Sequence, residues 1–228
     1  MTQTQSLPPS PAARRGTELP RIMGTHRPSE PVVRALTGSD WPGYSTVMGR
    51  AFEDDPVMNF VISAPPPVAP RAGRLLTALA ASHGPEAIAL GAFAESGTLH
   101  GAACWTTPDH WRLPTSAYLR FAPRLISTVG IRSMLRVSVL AAIEKRHPSE
   151  PHYYLAAIGT EPKHQGTGVG SALMRPMIER CDEEGIGAYL ESSKKTNLAF
   201  YHSFGFELRE ELVLKGGPTM YLMWRDPR

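Results

Sequence analysis

The sequence predicts an α/β (α+β) fold, with about six to seven strands flanked by helices. Three observations carry the prediction. An apolar run over residues 153–158 leads into a glycine-rich turn, Gln165-Gly166-Thr167-Gly168-Val169-Gly170-Ser171. Apolar residues then recur at helical spacing, at Ala172, Leu173, Met174, Met177, Ile178 and Cys181, giving the order strand, turn, helix. Two pairs of strand-like runs are each closed by a turn: 87–93 with 98–105 through Glu95-Ser96-Gly97, and 206–214 with 219–224 through Gly216-Gly217-Pro218.

The elements follow in order. Residues 1–30 hold prolines at 8, 9, 11, 20 and 28 and too few apolar groups to order themselves, so they read as a disordered tail before a single domain over 31–228. Val32-Val33-Arg34-Ala35-Leu36 reads as a first strand. A helix over 41–52 places Tyr44, Val47, Met48 and Ala51 on one face. Pro56 stops it, because the residue before proline avoids helical backbone, and starts a second helix over 56–62. A third helix, 72–82, carries Leu75, Leu76, Leu79 and Ala80. Residues 110–150 suggest a helical insert, with helices over 115–128 and 131–145 on either side of Gly130. It either shapes a substrate pocket or simply packs. A strand over 188–192, a short helix over 197–203 and the closing hairpin complete the chain.

Composition narrows the function. The 228 residues are 42% hydrophobic, enough for a core. Net charge is +3, from 24 basic and 21 acidic residues with no basic run of five, which argues against a nucleic-acid partner. Cys104 and Cys181 both sit in apolar patterns and read as buried free thiols. The eight histidines lack ligand spacing, so no metal is expected. The start of the chain has no apolar leader pattern, and no apolar stretch reaches about 18 residues, so the expectation is a cytoplasmic protein that does not enter a membrane.

The glycine turn is the most informative stretch. A helix start bares several backbone N–H groups together, and the helix dipole adds partial positive charge, which suits a phosphate or pyrophosphate. Glycines let backbone approach such a ligand closely. The dinucleotide fingerprint is excluded, because Ser171 stands where its third glycine belongs, and no Gly-Lys-Ser/Thr triplet makes a P-loop.

Gln165, Gly168 and Gly170 match Gln/Arg-x-x-Gly-x-Gly/Ala, and this run resembles the coenzyme A signature of the GNAT superfamily of N-acetyltransferases. Asn197-Leu198-Ala199-Phe200-Tyr201 followed by Gly205-Phe206 resembles the family's Asn-x-x-Phe-Tyr…Gly-Phe element. Glu191-Ser192, Asn197 and Trp105-Thr106-Thr107-Pro108 further resemble the puromycin N-acetyltransferase branch. The resemblance covers about residues 31–226 and is dense after 150. It implies a mixed, mostly antiparallel twisted sheet with a V-shaped split between the two central strands. It also implies acetyl-CoA as co-substrate. Its diphosphate would lie on Gln165 to Ser171, and its pantetheine arm along the backbone of Ile158, Gly159 and Thr160 and against Asn197.

Acetyl transfer to an amine needs a held donor, a base for the amine and an acid for the departing thiolate. The resemblance makes Tyr201 the acid; a phenol with a pKa near 10 is protonated at neutral pH, although a core aromatic would look the same. Asn197 either binds pantetheine or caps its helix, or does both. The strand over 152–158 lacks the glutamate that many relatives carry there. Glu191 is therefore the first candidate base, or else a structural group; His152 and Tyr154 come next. Glu53-Asp54-Asp55 is either a solvated turn that caps the next helix or an acidic lip that attracts a cationic amine. The expected activity is direct acetyl transfer in a ternary complex to a primary amine of a small molecule, by a monomer or homodimer. The alternative is a non-catalytic acyl-CoA sensor with the same fold.

Overall fold

The computed structural model describes residues 30–62, 65–112 and 141–228. The expected tail falls outside them except for Glu30. The two insert helices also fall outside, except that Ala141–Glu144 is helical. The described elements are β1 (Val32–Ala35), α1 (Trp41–Ala51), α2 (Pro56–Ile62), α3 (Ala69–Ser82), β2 (Ala87–Phe93), β3 (Leu99–Thr106), α4 (Ala141–Glu144), β4 (His152–Thr160), α5 (Val169–Glu184), β5 (Gly187–Ser192), α6 (Leu198–His202), β6 (Glu207–Val213) and β7 (Thr219–Arg225).

The strands form one seven-stranded sheet in the order β1-β2-β3-β4-β5-β7-β6. Every neighbouring pair is antiparallel except β4 and β5, which run parallel because α5 crosses between them. The mixed, mostly antiparallel sheet expected from the sequence is the sheet observed.

Helices cover both faces, as apolar groups on each side of a sheet require. On one face, Leu173, Met174, Met177 and Cys181 of α5 pack on Tyr153, Leu155, Ala188 and Leu190. On the other, Tyr44 and Met48 of α1 and Leu76 and Ala80 of α3 pack on Ala102, Cys104 and Ala157. Both cysteines are buried free thiols, and burial pushes each up to about 12. Pro176 lies inside α5, which the apolar stripe gave no reason to expect. It is tolerated because it stands on the exposed face, where water can serve the carbonyl that loses its donor. The helix ends as Gly185 predicts: that residue is left-handed, with φ 66°, and Ile186 N–H donates to Cys181 O at 2.9 Å.

One irregularity shapes the sheet. Cys104 pairs with Ala157 and Trp105 with Leu155, so Ala156 is an extra residue in β4, a β-bulge. The parallel pairing of β4 with β5 runs from His152↔Gly187 to Leu155↔Leu190 and stops there. Beyond it, β4 continues along β3 to Thr160, while β5 continues along β7 through Glu191↔Leu222 and Ser192↔Tyr221. The two central strands therefore part, as the V-shaped split requires. The bulge also resets which side chains face which way. Tyr154 packs with the α2 side before it, and Ala157 packs with α1 and α3 after it.

The end of α5 is tied to β7 by a bidentate pair, Arg225 Nη1 and Nη2 to Asp182 Oδ1 and Oδ2 at 2.8 and 2.7 Å. Arg225 is 2% exposed and also donates to Phe204 O, so it has no route to water if Asp182 is lost. Asp182→Ala should destabilise the fold by about 1–3 kcal/mol at pH 7, the range for a hydrogen bond to a charged group, read by urea unfolding. Arg225's hydrogen bonds hold the Asp182 carboxyl below its ordinary range. Its stabilisation is present above that range and lost as the pH falls through the depressed value, so the gap between wild type and variant should close in acid.

Candidate functional site

The turn before α5 is shaped for an anion. Gly166 and Gly168 take φ of 74° and 91°, backbone that other residues adopt with strain, and the space a Cβ would occupy at each is open. Gly168 is the residue before the helix, and no side chain caps it. The first intrahelical bond recorded there is Ala172 N–H to Gly168 O at 2.9 Å. Residues 169–171 thus start the helix with amides that have no acceptor one turn back. The side chain of Val169 is buried in the core and fixes the helix start from behind. Gly170 differs from the other two: a Cβ there would lie 3.3 Å from the Phe200 ring, so its small size serves packing of α5 against α6. Thr167 Oγ1 donates to His164 O at 2.7 Å and Gln165 Nε2 to Thr160 O at 3.3 Å, which hold the turn against the end of β4. Ser171 sits half-buried in the first turn of α5.

Between the parted strands lies a cleft. Leu155, Ala156, Ala157 and Ile158 form one wall, Leu190, Glu191 and Ser192 the other, and Asn197 and Tyr201 line it from the α6 end. Ile158, Gly159 and Thr160 pair with Ala103, Ala102 and Gly101 of β3 and leave their other edge toward the cleft without a strand. Gly159 itself faces α1, where a Cβ would lie 2.8 Å from Ala51 Cβ. Asn197 occupies the position before α6 but makes no capping bond, so the helix cap expected from its type is absent. Tyr201 is 6% exposed. Burial, and secondarily the charge of Asp55, push its phenol well above its ordinary range, so it keeps its proton at physiological pH.

Asp55 is the residue whose importance its sequence context hid. The sequence leaves Glu53-Asp54-Asp55 as a solvated turn that caps the next helix or as an acidic lip; the cap is present at Asp55, but that residue is 5% exposed rather than solvated and lines the cleft. Its Oδ1 caps α2 by accepting from Val57 N–H and Met58 N–H at 2.9 and 2.8 Å. Its Oδ2 accepts from the Ser193 hydroxyl, just beyond β5. Beside it, Lys194 Nζ lies 2.5 Å from Asp54 Oδ1. The corner between α1 and α2 is thereby fastened across the cleft to the end of β5.

Glu191 points to the α1–α2 face, its side chain 6% exposed, with Oε1 3.4 Å from His147 Nδ1. Tyr154 and Tyr189 surround it, and burial, then the Glu191 charge, push both phenols up. Tyr154 therefore stays protonated and cannot serve as a base. His152 is 1% exposed, lies behind His147, and is lowered chiefly by burial. Of the three base candidates, Glu191 is the one that is both ionisable toward a carboxylate and in the cleft wall. His147, in the turn before β4, carried no distinguishing signal, because its partner lies 44 residues on in β5. Among the described residues no group of three His, Cys, Asp or Glu is placed to hold a metal ion, and no helix is long and apolar enough to cross a membrane.

A split mixed sheet with a bared helix start at one end of the split defines a class, and comparison with known proteins identifies it. Residues 51–206 match the Acetyltransferase (GNAT) family, and the chain belongs to that family. It is similar to an uncharacterized N-acetyltransferase, C550.08, of Schizosaccharomyces pombe, with 39% identity over 62 residues, 27% of this chain and 25% of that protein. It is 33% identical over 104 residues to the N-alpha-acetyltransferase RimI of Mycobacterium tuberculosis, covering 43% of this chain and 65% of that one. The chain thus spans a quarter to just under two thirds of these relatives' lengths. Among solved structures it resembles a histone acetyltransferase HPA2 and related acetyltransferase from Corynebacterium glutamicum, with TM-score 0.69, 27% identity, and coverage of 87% of this chain and 97% of that one.

Asp55→Ala removes the cap of α2 and the acceptor of Ser193 together. It should lower stability by about 1–2 kcal/mol, the upper part of the range for a lost cap, measured by thermal or urea unfolding.

Proposed function

We propose that the protein is an acetyl-CoA-dependent N-acetyltransferase that acetylates a primary amine by direct attack within a ternary complex. The observation that carries this reading is the cleft where β4 and β5 part, with Tyr201 and Asn197 in its lining and the bared start of α5 at its end. Coenzyme A fits what the chain offers. The amides of Val169, Gly170 and Ser171 suit a diphosphate, and the unpaired edge of Ile158 to Thr160 suits an amide-bearing arm. When bound, the co-substrate supplies a thioester carbonyl open to attack and a thiolate as leaving group.

The residues divide the remaining work. Glu191 takes the proton that the amine must lose, directly or through one water, since a protonated amine has no electron pair to offer. Tyr201 keeps a proton ready to give to the departing sulfur. Asn197, free of any capping duty, holds the arm of the co-substrate at the rim. Glu53 adds negative charge on the exposed turn beside the cleft, which favours a cationic acceptor, while the charge of Asp54 is paired with Lys194. The acceptor we favour is a small primary amine, with an aminonucleoside such as puromycin the first to try, on the strength of Glu191-Ser192, Asn197 and the Trp105 to Pro108 run.

Mass spectrometry of products from an amine panel, including puromycin and a peptide N-terminus, tests the reading. Acetylation of a small amine supports it, and cofactor binding without any product would replace it with the sensor. Tyr201→Phe should lower kcat about 10- to 10⁴-fold while cofactor affinity stays near normal, a range set by loss of acid–base catalysis. Gly168→Asp should abolish cofactor binding in calorimetry, because it strains a φ of 91° and places a carboxylate where a diphosphate would lie.

A further inference from the structure

The two histidines behind Glu191 are joined in a way that fixes their proton count. His152 Nδ1 lies 2.6 Å from the carbonyl oxygen of Glu150. A carbonyl only accepts, so that nitrogen carries a hydrogen. His152 Nε2 lies 2.9 Å from His147 Nε2, and a hydrogen bond between two imidazole nitrogens holds one proton. Two protons are then placed, as many as two neutral rings possess. The fourth nitrogen, His147 Nδ1, faces Glu191 Oε1 at 3.4 Å. With both rings neutral it would turn a bare lone pair toward a carboxylate. A third proton there makes the contact an ion pair instead.

The third proton belongs to the His147 ring. Both rings are enclosed, His152 at 1% and the His147 side chain at 2% exposed, but His152 meets a carbonyl and is held neutral by burial, whereas His147 has the Glu191 carboxylate opposite it. The His147 ring stacks on Trp111, centroids 3.5 Å apart and planes at 19°, an arrangement that favours a cation over the indole face. Tyr154 and Tyr189 meet the same ring edge-on at 4.9 and 4.7 Å, and their phenols remain neutral. Glu191 is thus the negative group facing it at contact distance, with Arg209 and Glu210 interacting with Tyr189 further out.

We propose that His147 is a positioning residue: as an imidazolium fixed by His152 and the Glu150 carbonyl, it pairs with the enclosed Glu191 carboxylate and aims it into the cleft. This rests on the role of Glu191 proposed above. In the step it serves, an amine N–H bond breaks, its electron pair stays on nitrogen, and the proton forms an O–H bond on Glu191. His147 keeps both of its protons throughout. The imidazolium gives the enclosed carboxylate an opposite charge at contact distance, the pairing that a buried charge needs.

Nitrogen-15 NMR of the imidazoles in the intact wild-type protein near pH 7 tests the arrangement without any substrate. The expected result is three N–H groups over the two rings, two on His147 and one, at Nδ1, on His152. In Glu191→Gln, which removes the negative partner, the two rings should hold only two. Two N–H groups in the wild type would overturn the proposal. His147→Gln should lower kcat at least about 10-fold, with cofactor affinity kept, because it removes the group that fixes the direction of Glu191. An unchanged kcat would also overturn it. Where that variant fails to fold, the wild-type spectrum decides. Three N–H groups in a protein that acetylates no amine would refute the proposed activity and leave the charge arrangement standing.

Discussion

The structure depends on one residue too many in one strand. β4 and β5 lie parallel and hydrogen-bonded for four residue pairs, and could continue as an ordinary sheet. The extra Ala156 turns β4 away, β5 follows β7, and the backbone along Ile158 to Thr160 loses its neighbour on one side. Unpaired backbone at the middle of a sheet is costly unless something else bonds to it. A protein that keeps such a gap open keeps a place for another chain-like molecule to lie. The gap opens toward the start of α5, so the unpaired strand edge and the bared helix amides lie along one path.

The two faces of the sheet have different tasks. On the α5 side, the cleft offers backbone: amides and a strand edge, with Val169 and Phe200 as packing behind them. On the α1–α2 side, side chains act: Asp55 fastened to Ser193, and Glu191 enclosed by two tyrosines and a histidine. This division follows from what each partner offers. Diphosphate and amide chains suit repeating backbone donors, whereas an amine that must lose a proton needs a particular ionisable group.

Much of the fold was legible because it rests on local pattern. The strand, glycine turn and helix over 153–184 could be read from apolar spacing and from glycines whose φ values the turn requires. The two hairpins were announced by Glu95-Ser96-Gly97 and Gly216-Gly217-Pro218. What escaped was non-local. The bulge at Ala156 leaves no mark in composition, because an extra alanine in an apolar strand looks like any other. Asp55 reads as one acid among three, and its burial depends on Ser193, 138 residues away. His147 acquires meaning only through Glu191 and Trp111, which reach it through the fold. Asn197 is the reverse case: of the two roles its type left open, the helix cap is the one the structure does not use.

The burial of Cys104 and Cys181 has a practical corollary. Their sulfurs are shut away from solvent, and with both thiols pushed up to about 12 almost none is present as the reactive thiolate at neutral pH. A chromogenic disulfide reagent added to the folded protein therefore finds no target on it. Under the proposed reaction, any colour that grows during an assay would come from liberated coenzyme, and two equivalents more would appear only when the polypeptide is denatured.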